Sequence, residues 1–430
     1  MDADSSIGQI DQSTASLTDN NWLARLHKLQ SWIVLGYAVS LPVSMTVSWI
    51  LLILGIVLVL IDLISSEQSR QLLKQRAPLL IPLGVMSMTI AASGFHHGGI
   101  KEAARCVWSL KAISCYFLAS LTFSREPSLA TRCLSALLVV SAAAGVFGAI
   151  QQVFNFHPFG FHYLQATGFL GGPMAFAGQM QIFALLALAL AITGGYEHCS
   201  GRLASKGTYA TVVLCNWLGV LFCAERSAWF GAAAALLVCA AFISFKMFRR
   251  TVVALVVIGA TLWFCVPVVQ TRLQATLDLR HDVSTQARLT IWRKAVLEWQ
   301  REPIFGVGFL NFPHLDIKEA ELPGRSKELN HAHSNYLHML ATSGALGLSA
   351  YLYLLASCLF LSKRLWQNGK CHSNKFVAGV GIGLFATTVA LAASGLFEYN
   401  FGTAQVRLAQ WFVFGLLALS AWPIPKSNPN

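Results

Sequence analysis

The sequence predicts an all-α polytopic membrane protein, with about twelve transmembrane helices and one large extramembrane loop between the ninth and tenth. Three observations carry this. Of 430 residues, 55% are hydrophobic and only 12% charged, where a soluble domain carries about 25% charged residues. Apolar runs of roughly 17–25 residues recur along most of the chain, long enough to cross a bilayer as helices. One long polar stretch, 270–332, interrupts them. Helices satisfy their own backbone groups in lipid, and the unbroken apolar runs exclude a β-barrel.

The predicted spans are 23–41, 44–63, 78–95, 103–122, 132–154, 169–193, 208–224, 228–246, 251–269, 334–361, 376–397 and 404–422. They divide the chain into a polar tail 1–22, nine spans within 23–269, the loop 270–332, three spans within 333–423 and a short tail 424–430. Residues 1–20 lack a basic start followed by an apolar core, so no signal peptide is expected there. Their polarity predicts a disordered tail. Pro42 separates the first two spans, as a helix breaker in a tight connection would.

Orientation follows from Lys and Arg. With the N-terminus in the cytoplasm, 17 of the 31 basic residues fall on the cytoplasmic side and four in the short outer connections. That is the positive-inside pattern. It puts both termini in the cytoplasm and 270–332 outside. It also accounts for most of the net charge of +12, so no nucleic-acid partner is expected. Most of the ten cysteines lie in apolar runs. They form neither a disulfide framework nor a zinc spacing and read as small apolar residues.

Within the outer loop, Asp282 and Ser284 are candidate helix caps. An amphipathic helix is predicted from Gln286 to Arg301, with Arg288, Trp292, Ala295 and Trp299 on one face. Tryptophans there suit a membrane–water boundary. Pro303, Gly306 and Gly308 break the helix, and 311–332 reads as a loop.

Candidate chemistry gathers on the outer face. His333 stands where the loop re-enters the membrane. An unperturbed histidine titrates near 6.5 and can accept a proton at neutral pH. The bland alternative is a helix-start histidine hydrogen-bonded at the interface. His331 and His338 are nearby competitors, and His338 lies about 140° around a helix from His333 at roughly 100° per residue. Arg226 lies between two apolar runs, in Cys223-Ala224-Glu225-Arg226-Ser227-Ala228-Trp229. Arginine at membrane depth costs about 2.5–3.5 kcal/mol on insertion scales. It is either a structural ion pair or an anion clamp whose planar guanidinium grips two phosphate oxygens. Arg288 offers a cation–π contact or a hold on a charged headgroup. Lys111 lies within a span, with Arg105 towards the outside; both are candidates for substrate binding, as is His331, with a buried structural pair as the alternative. The aromatic connection 155–168, with His157, His162 and Tyr163, suits an interfacial belt or sugar stacking. Glu398, Tyr399 and Asn400 sit on the same side.

No Gly-rich phosphate loop is present, so ATP use is not expected. No Asp-x-Asp pair occurs on an outer segment and the histidine spacings do not resemble a zinc site. Neither a metal nor another cofactor is predicted; if phosphate is handled, arginine handles it.

Taken in order, these residues resemble the O-antigen ligase (WaaL) family, within the group sharing the Wzy C-terminal domain. Arg226-Ser227-Ala228-Trp229 looks like its Arg-x-x-Trp motif. Gln286-Ala287-Arg288 with Trp292, then Pro303-Ile304-Phe305-Gly306-Val307-Gly308, looks like its outer-helix pattern. His333-Ser334-Asn335-Tyr336-Leu337 with Gly344 and Gly347 looks like its histidine motif. The likeness covers roughly 224–348. It implies a GT-C-like glycosyltransferase of the bacterial inner membrane with a periplasmic active site. The partners it implies are an undecaprenyl-diphosphate-linked glycan donor and a lipid A-core acceptor, within membrane lipids. His333 would deprotonate the acceptor hydroxyl, and Arg226 and Arg288 would hold the diphosphate. O-antigen polymerases and protein O-oligosaccharyltransferases share the fold and histidine motif. A transporter is the reading from a different class, but no paired repeat of broken helices marks a transport site.

Overall fold

The structure, a computed structural model, describes residues 5–158, 165–199, 201–277, 283–315 and 330–421. His162, Tyr163 and Asp282 therefore lie outside the described residues. Those residues form helices and connections with no strand among them. In chain order the helices are α1 (Ser5–Ser40), α2 (Met45–Ser65), α3 (Glu67–Arg76), α4 (Leu80–Ser109), α5 (Ser114–Arg125), α6 (Pro127–Phe154), α7 (Pro173–Thr193), α8 (Lys206–Phe222), α9 (Arg226–Ile243), α10 (Phe245–Cys265), α11 (Pro267–Leu277), α12 (Val283–Arg301), α13 (Asn335–Cys371), α14 (Lys375–Ser394) and α15 (Ala404–Phe414).

Seven of these are long and apolar enough to cross a membrane: α2, α6, α7, α9, α10, α13 and α14. The protein is thus a multi-pass helical membrane protein. Helix stands at every one of the twelve predicted positions, yet several segments differ from simple spans. The predicted fourth span is broken. α4 enters it and ends at Ser109, a turn follows at Lys111–Ile113, and α5 has only 12 residues. The kink of α4 at Gly98 and Gly99 stands in the connection predicted between the third and fourth spans. At 1.5 Å per residue α5 is about 18 Å long, short of a bilayer core of about 30 Å. α3 and α4 meet at a bend of 86°. α1 starts at Ser5, inside the stretch expected to be a disordered tail; no proline interrupts 5–40. All ten cysteines are free thiols.

Burial sorts the helices. α7 and α14 are the centre and are buried over most of their length, whereas α10 has no buried residue and faces outward along its length. α13 packs on α14, α4 and α12. Its first turn therefore sits where α12 and the connection after α14 converge.

The break at the start of α13 has a specific cause. Gly344 has φ +64° and ψ −163°, a region that is essentially Gly-only. The chain 303–308 docks into the opening backbone to backbone. Val307 N–H donates to the Ala341 carbonyl (2.9 Å), Gly308 N–H to Thr342 (3.0 Å) and Ala345 N–H to Pro303 (2.8 Å). These bonds satisfy the carbonyls and amide freed by the kink. A Cβ on Gly344 would stand 2.2 Å from the Ile304 carbonyl oxygen, and one on Gly306 would stand 2.4 Å from the Thr342 carbonyl carbon. The two glycine motifs noted in the sequence are thus halves of one joint. Gly344→Ala should destabilise the protein by at least about 3 kcal/mol, from backbone strain plus the clash. Thermal unfolding of the purified variant in detergent checks this, and an unchanged melting temperature would contradict it.

Candidate active site

Three chain segments converge beside the start of α13. Ser334 caps that helix, its hydroxyl accepting from Leu337 N–H at 3.4 Å. His333, immediately before the cap, has φ +47°, a left-handed conformation uncommon for a non-glycine residue. The segment is fixed on both sides. Trp292 of α12 donates its indole N–H to the Ala332 carbonyl at 2.9 Å. Asn335 N–H donates to the Gly395 carbonyl at 2.7 Å, and its side-chain amide donates to Asn400 Oδ1 at 2.6 Å and Tyr351 hydroxyl at 2.9 Å. Phe401 N–H donates back to Asn335 Oδ1 at 3.0 Å. This riveting of the α14–α15 connection onto α13 places Glu398 against His333.

Glu398 lies between the histidine and an arginine. Its Oε1 is 3.7 Å from His333 Nδ1, and its Oε2 is 3.9 Å from Arg288 Nη2. Both distances are ionic contacts beyond hydrogen-bond length. Burial alone would raise the Glu398 carboxyl, but the contact and charge of His333, then Arg288 and His331, hold it below the usual carboxylate range. It is an anion at neutral pH. His333 N–H donates to His331 Nδ1 at 3.3 Å, and the two rings meet edge to face at 4.3 Å. Burial, then the charge of His333, pushes His331 down to about 4, so His331 is neutral at pH 7.

The second group is set by the turn between α8 and α9. Ala224 is buried with φ +54°, and Trp229 donates its indole N–H to the Val220 carbonyl at 2.8 Å. This fastens the turn to the last turn of α8 and supplies a partner to a terminal carbonyl. Glu225 follows, buried, accepting from Gln165 Nε2 at 3.3 Å. Burial, reinforced by the charge of Glu398, pushes the Glu225 carboxyl up to about 7, against the pull of Arg272, Arg288 and Arg226. These residues act on one another electrostatically, so the two groups form one field. Arg288 acts on both carboxylates, and Arg272 and Arg226 act on Glu225.

Residues 211–352 match the family model Wzy_C, described as O-Antigen ligase. The chain carries an O-antigen ligase domain. Members of that family transfer glycosyl groups. No curated protein matches the chain significantly. The matched domain holds Arg226, Arg272, Arg288, His331 and His333 but ends before Glu398. The structure thus supplies to the O-antigen ligase domain a carboxylate from beyond its matched boundary.

Other candidates lie apart. Lys111 sits between the Trp49 and Trp108 rings, 5.4 and 5.3 Å from their centroids. Arg105 is exposed and paired with Glu102 at 2.7 Å. Neither contacts the His333 group among the described residues. His338 is buried in α13, its ring 3.8 Å from that of Tyr399. On α12, Ile291, Ala295 and Glu298 are the buried residues, and Ile291 and Ala295 pack with Phe312, Ala332 and Ala341. Trp292 and Trp299 are partly buried and donate to backbone carbonyls, so this helix seats on protein through aliphatic residues as well as tryptophan.

One nitrogen or oxygen from each of His331, His333 and Glu398 lies within 4.8 Å of the others, close enough to converge on a divalent cation. The histidine spacing alone gave no hint of this, because the third group comes from a distant connection. Two features weigh against a cation there. Arg288 already faces the same carboxylate, and the His333 amide occupies one ring nitrogen of His331.

Proposed function

We propose that this protein is an O-antigen ligase that moves a completed glycan from undecaprenyl diphosphate to a sugar hydroxyl of lipid A-core, on the periplasmic side of the inner membrane. The Glu398 bridge between His333 and Arg288 supports this reading most. A carboxylate at Nδ1 orients the imidazole and stabilises its protonated form, leaving Nε2 to take a proton. The acceptor oxygen attacks the anomeric carbon of the donor, and its proton passes to His333. The bond from that carbon to the diphosphate breaks, and undecaprenyl diphosphate leaves with the electron pair. Arg226 and Arg288, aided by Arg272, neutralise the charge that develops on it. A single displacement inverts the anomeric configuration. A retained configuration in the product linkage would exclude this mechanism.

Glu225 makes donor binding pH-dependent. Its carboxyl is raised, so the protonated form is favoured in the folded protein. Its contribution to folding is complete below the usual carboxylate range and is lost as pH rises towards about 7. Above that pH the site gains a negative charge, which opposes a diphosphate. Affinity for the lipid-linked diphosphate should therefore fall between pH 6 and pH 8, by about ten-fold for about 1.4 kcal/mol of added repulsion. Glu225→Gln should flatten that fall. Equilibrium donor binding across this range checks both, and an identical pH profile in the variant would remove Glu225 from the account.

A further inference from the structure

A second site lies at the other end of the bundle. The placement follows from α4. Its Leu80 end adjoins α3, whose Ser69 hydroxyl donates to Asp62 of α2 at 2.8 Å. About 20 Å further along at 1.5 Å per residue, Ser93 donates to the Thr342 carbonyl near the start of α13. At the Asp62 end, α1, α5 and α6 line a cavity of about 440 Å³. That is roughly fifteen water volumes, room for more than an inorganic ion.

Charge matching around this cavity leaves one cation over. Asp62 is fully buried and pairs with Arg125; it also accepts from Gln30 at 3.3 Å and contacts His27 Nε2 at 3.1 Å. Arg132 pairs with Glu126, which also accepts from the Ser31 hydroxyl at 3.1 Å. The two carboxylates are therefore matched by two arginines. Lys28 also lines the cavity and has no ion pair among the described residues, and His27 beside it is partly exposed. The other wall is apolar, from Trp32, Leu35 and Leu129. Trp32 and Leu29 continue that wall onto an exposed face of α1, at 61% and 49% exposure.

A surplus cation at one side and an open apolar wall at the other match a molecule with a phosphate head and hydrocarbon tails. We infer that this cavity binds the headgroup phosphate of an anionic phospholipid, in the leaflet opposite the His333 group. The basic residues at its mouth lie on the side that the distribution of Lys and Arg assigns to the cytoplasm. The site is independent of the transfer reaction proposed above.

The test uses the full chain, delipidated in a nonionic detergent and titrated with short-chain phosphatidylglycerol, short-chain phosphatidylcholine or inorganic phosphate, followed by tryptophan fluorescence and thermal unfolding. Saturable binding of phosphatidylglycerol is expected, with little response to the other two. Lys28→Gln should weaken it about five-fold, as one cation near a lipid surface is worth about 1 kcal/mol. Lys28 is exposed and the change leaves both ion pairs intact, so the variant should fold. Arg202→Gln, removing a basic residue that does not line this cavity, should leave binding unchanged. Equal binding of inorganic phosphate would overturn the lipid assignment, as would equal binding of phosphatidylcholine. Wild-type affinity in Lys28→Gln would overturn the site.

Discussion

His333→Asn should lower the rate of glycan transfer by about 10² to 10⁴, the contribution of one positioned general base. Asparagine is the informative replacement because it tolerates the left-handed backbone that His333 adopts. Alanine would add strain at the α13 cap and mix a folding defect with a chemical one. Donor affinity should change little, since the arginines remain. Single-turnover transfer with the donor pre-bound separates the two quantities. Wild-type rates in the variant would remove His333 as the base and leave its contact with Glu398 a structural one. Glu398→Gln bears on the same point. It keeps the shape but removes the charge facing Nδ1, so a smaller fall than that of His333→Asn is expected.

Arg226→Ala and Arg288→Ala should each cost about 10² to 10³ in turnover, the range seen when one donor to a developing anion is removed. The two act on one leaving group, so the double variant should fall short of the product of the single losses. Arg288→Lys should recover only part, because a lysine cannot grip two oxygens through a planar fork. Arg288→Ala has a second consequence of known sign. Removing this cation lets the Glu398 carboxyl rise towards ordinary values, which weakens its hold on His333. Steady-state and single-turnover kinetics of the three variants check this. Unchanged turnover in Arg226→Ala, with the protein folded, would confine that residue to a structural role.

Much of the helical layout was legible in the sequence because apolar length is a local property. α2, α6, α7, α13 and α14 lie close to their predicted places for that reason. The fourth span was not, because the turn at Lys111–Ile113 before α5 lies inside a stretch that hydropathy alone reads as one span, whereas the kink at Gly98 and Gly99 falls in the connection predicted before it. The histidine motif and both arginine motifs could be read as short patterns. What they lacked was the partner that joins them. Glu398 lies in a different connection, beyond the matched domain, and is brought to His333 only through the Asn335–Asn400 hydrogen bonds. Arg272 drew no attention among the basic residues of the long loop; its influence on Glu225 is tertiary. Lys111 illustrates the reverse. An intramembrane lysine is a functional candidate on cost alone, yet two tryptophan rings account for its placement.

The central claim is that His333 and Glu398 work as a base and its orienting carboxylate, without a metal ion. The most direct measurement uses purified protein, undecaprenyl-diphosphate-linked glycan and lipid A-core, with a strong chelator and no nucleotide. Glycosylated lipid A-core with an inverted linkage from wild type, and not from His333→Asn, is the predicted result. Transfer that stops with the chelator and returns with a divalent cation would contradict the claim and make His331, His333 and Glu398 metal ligands.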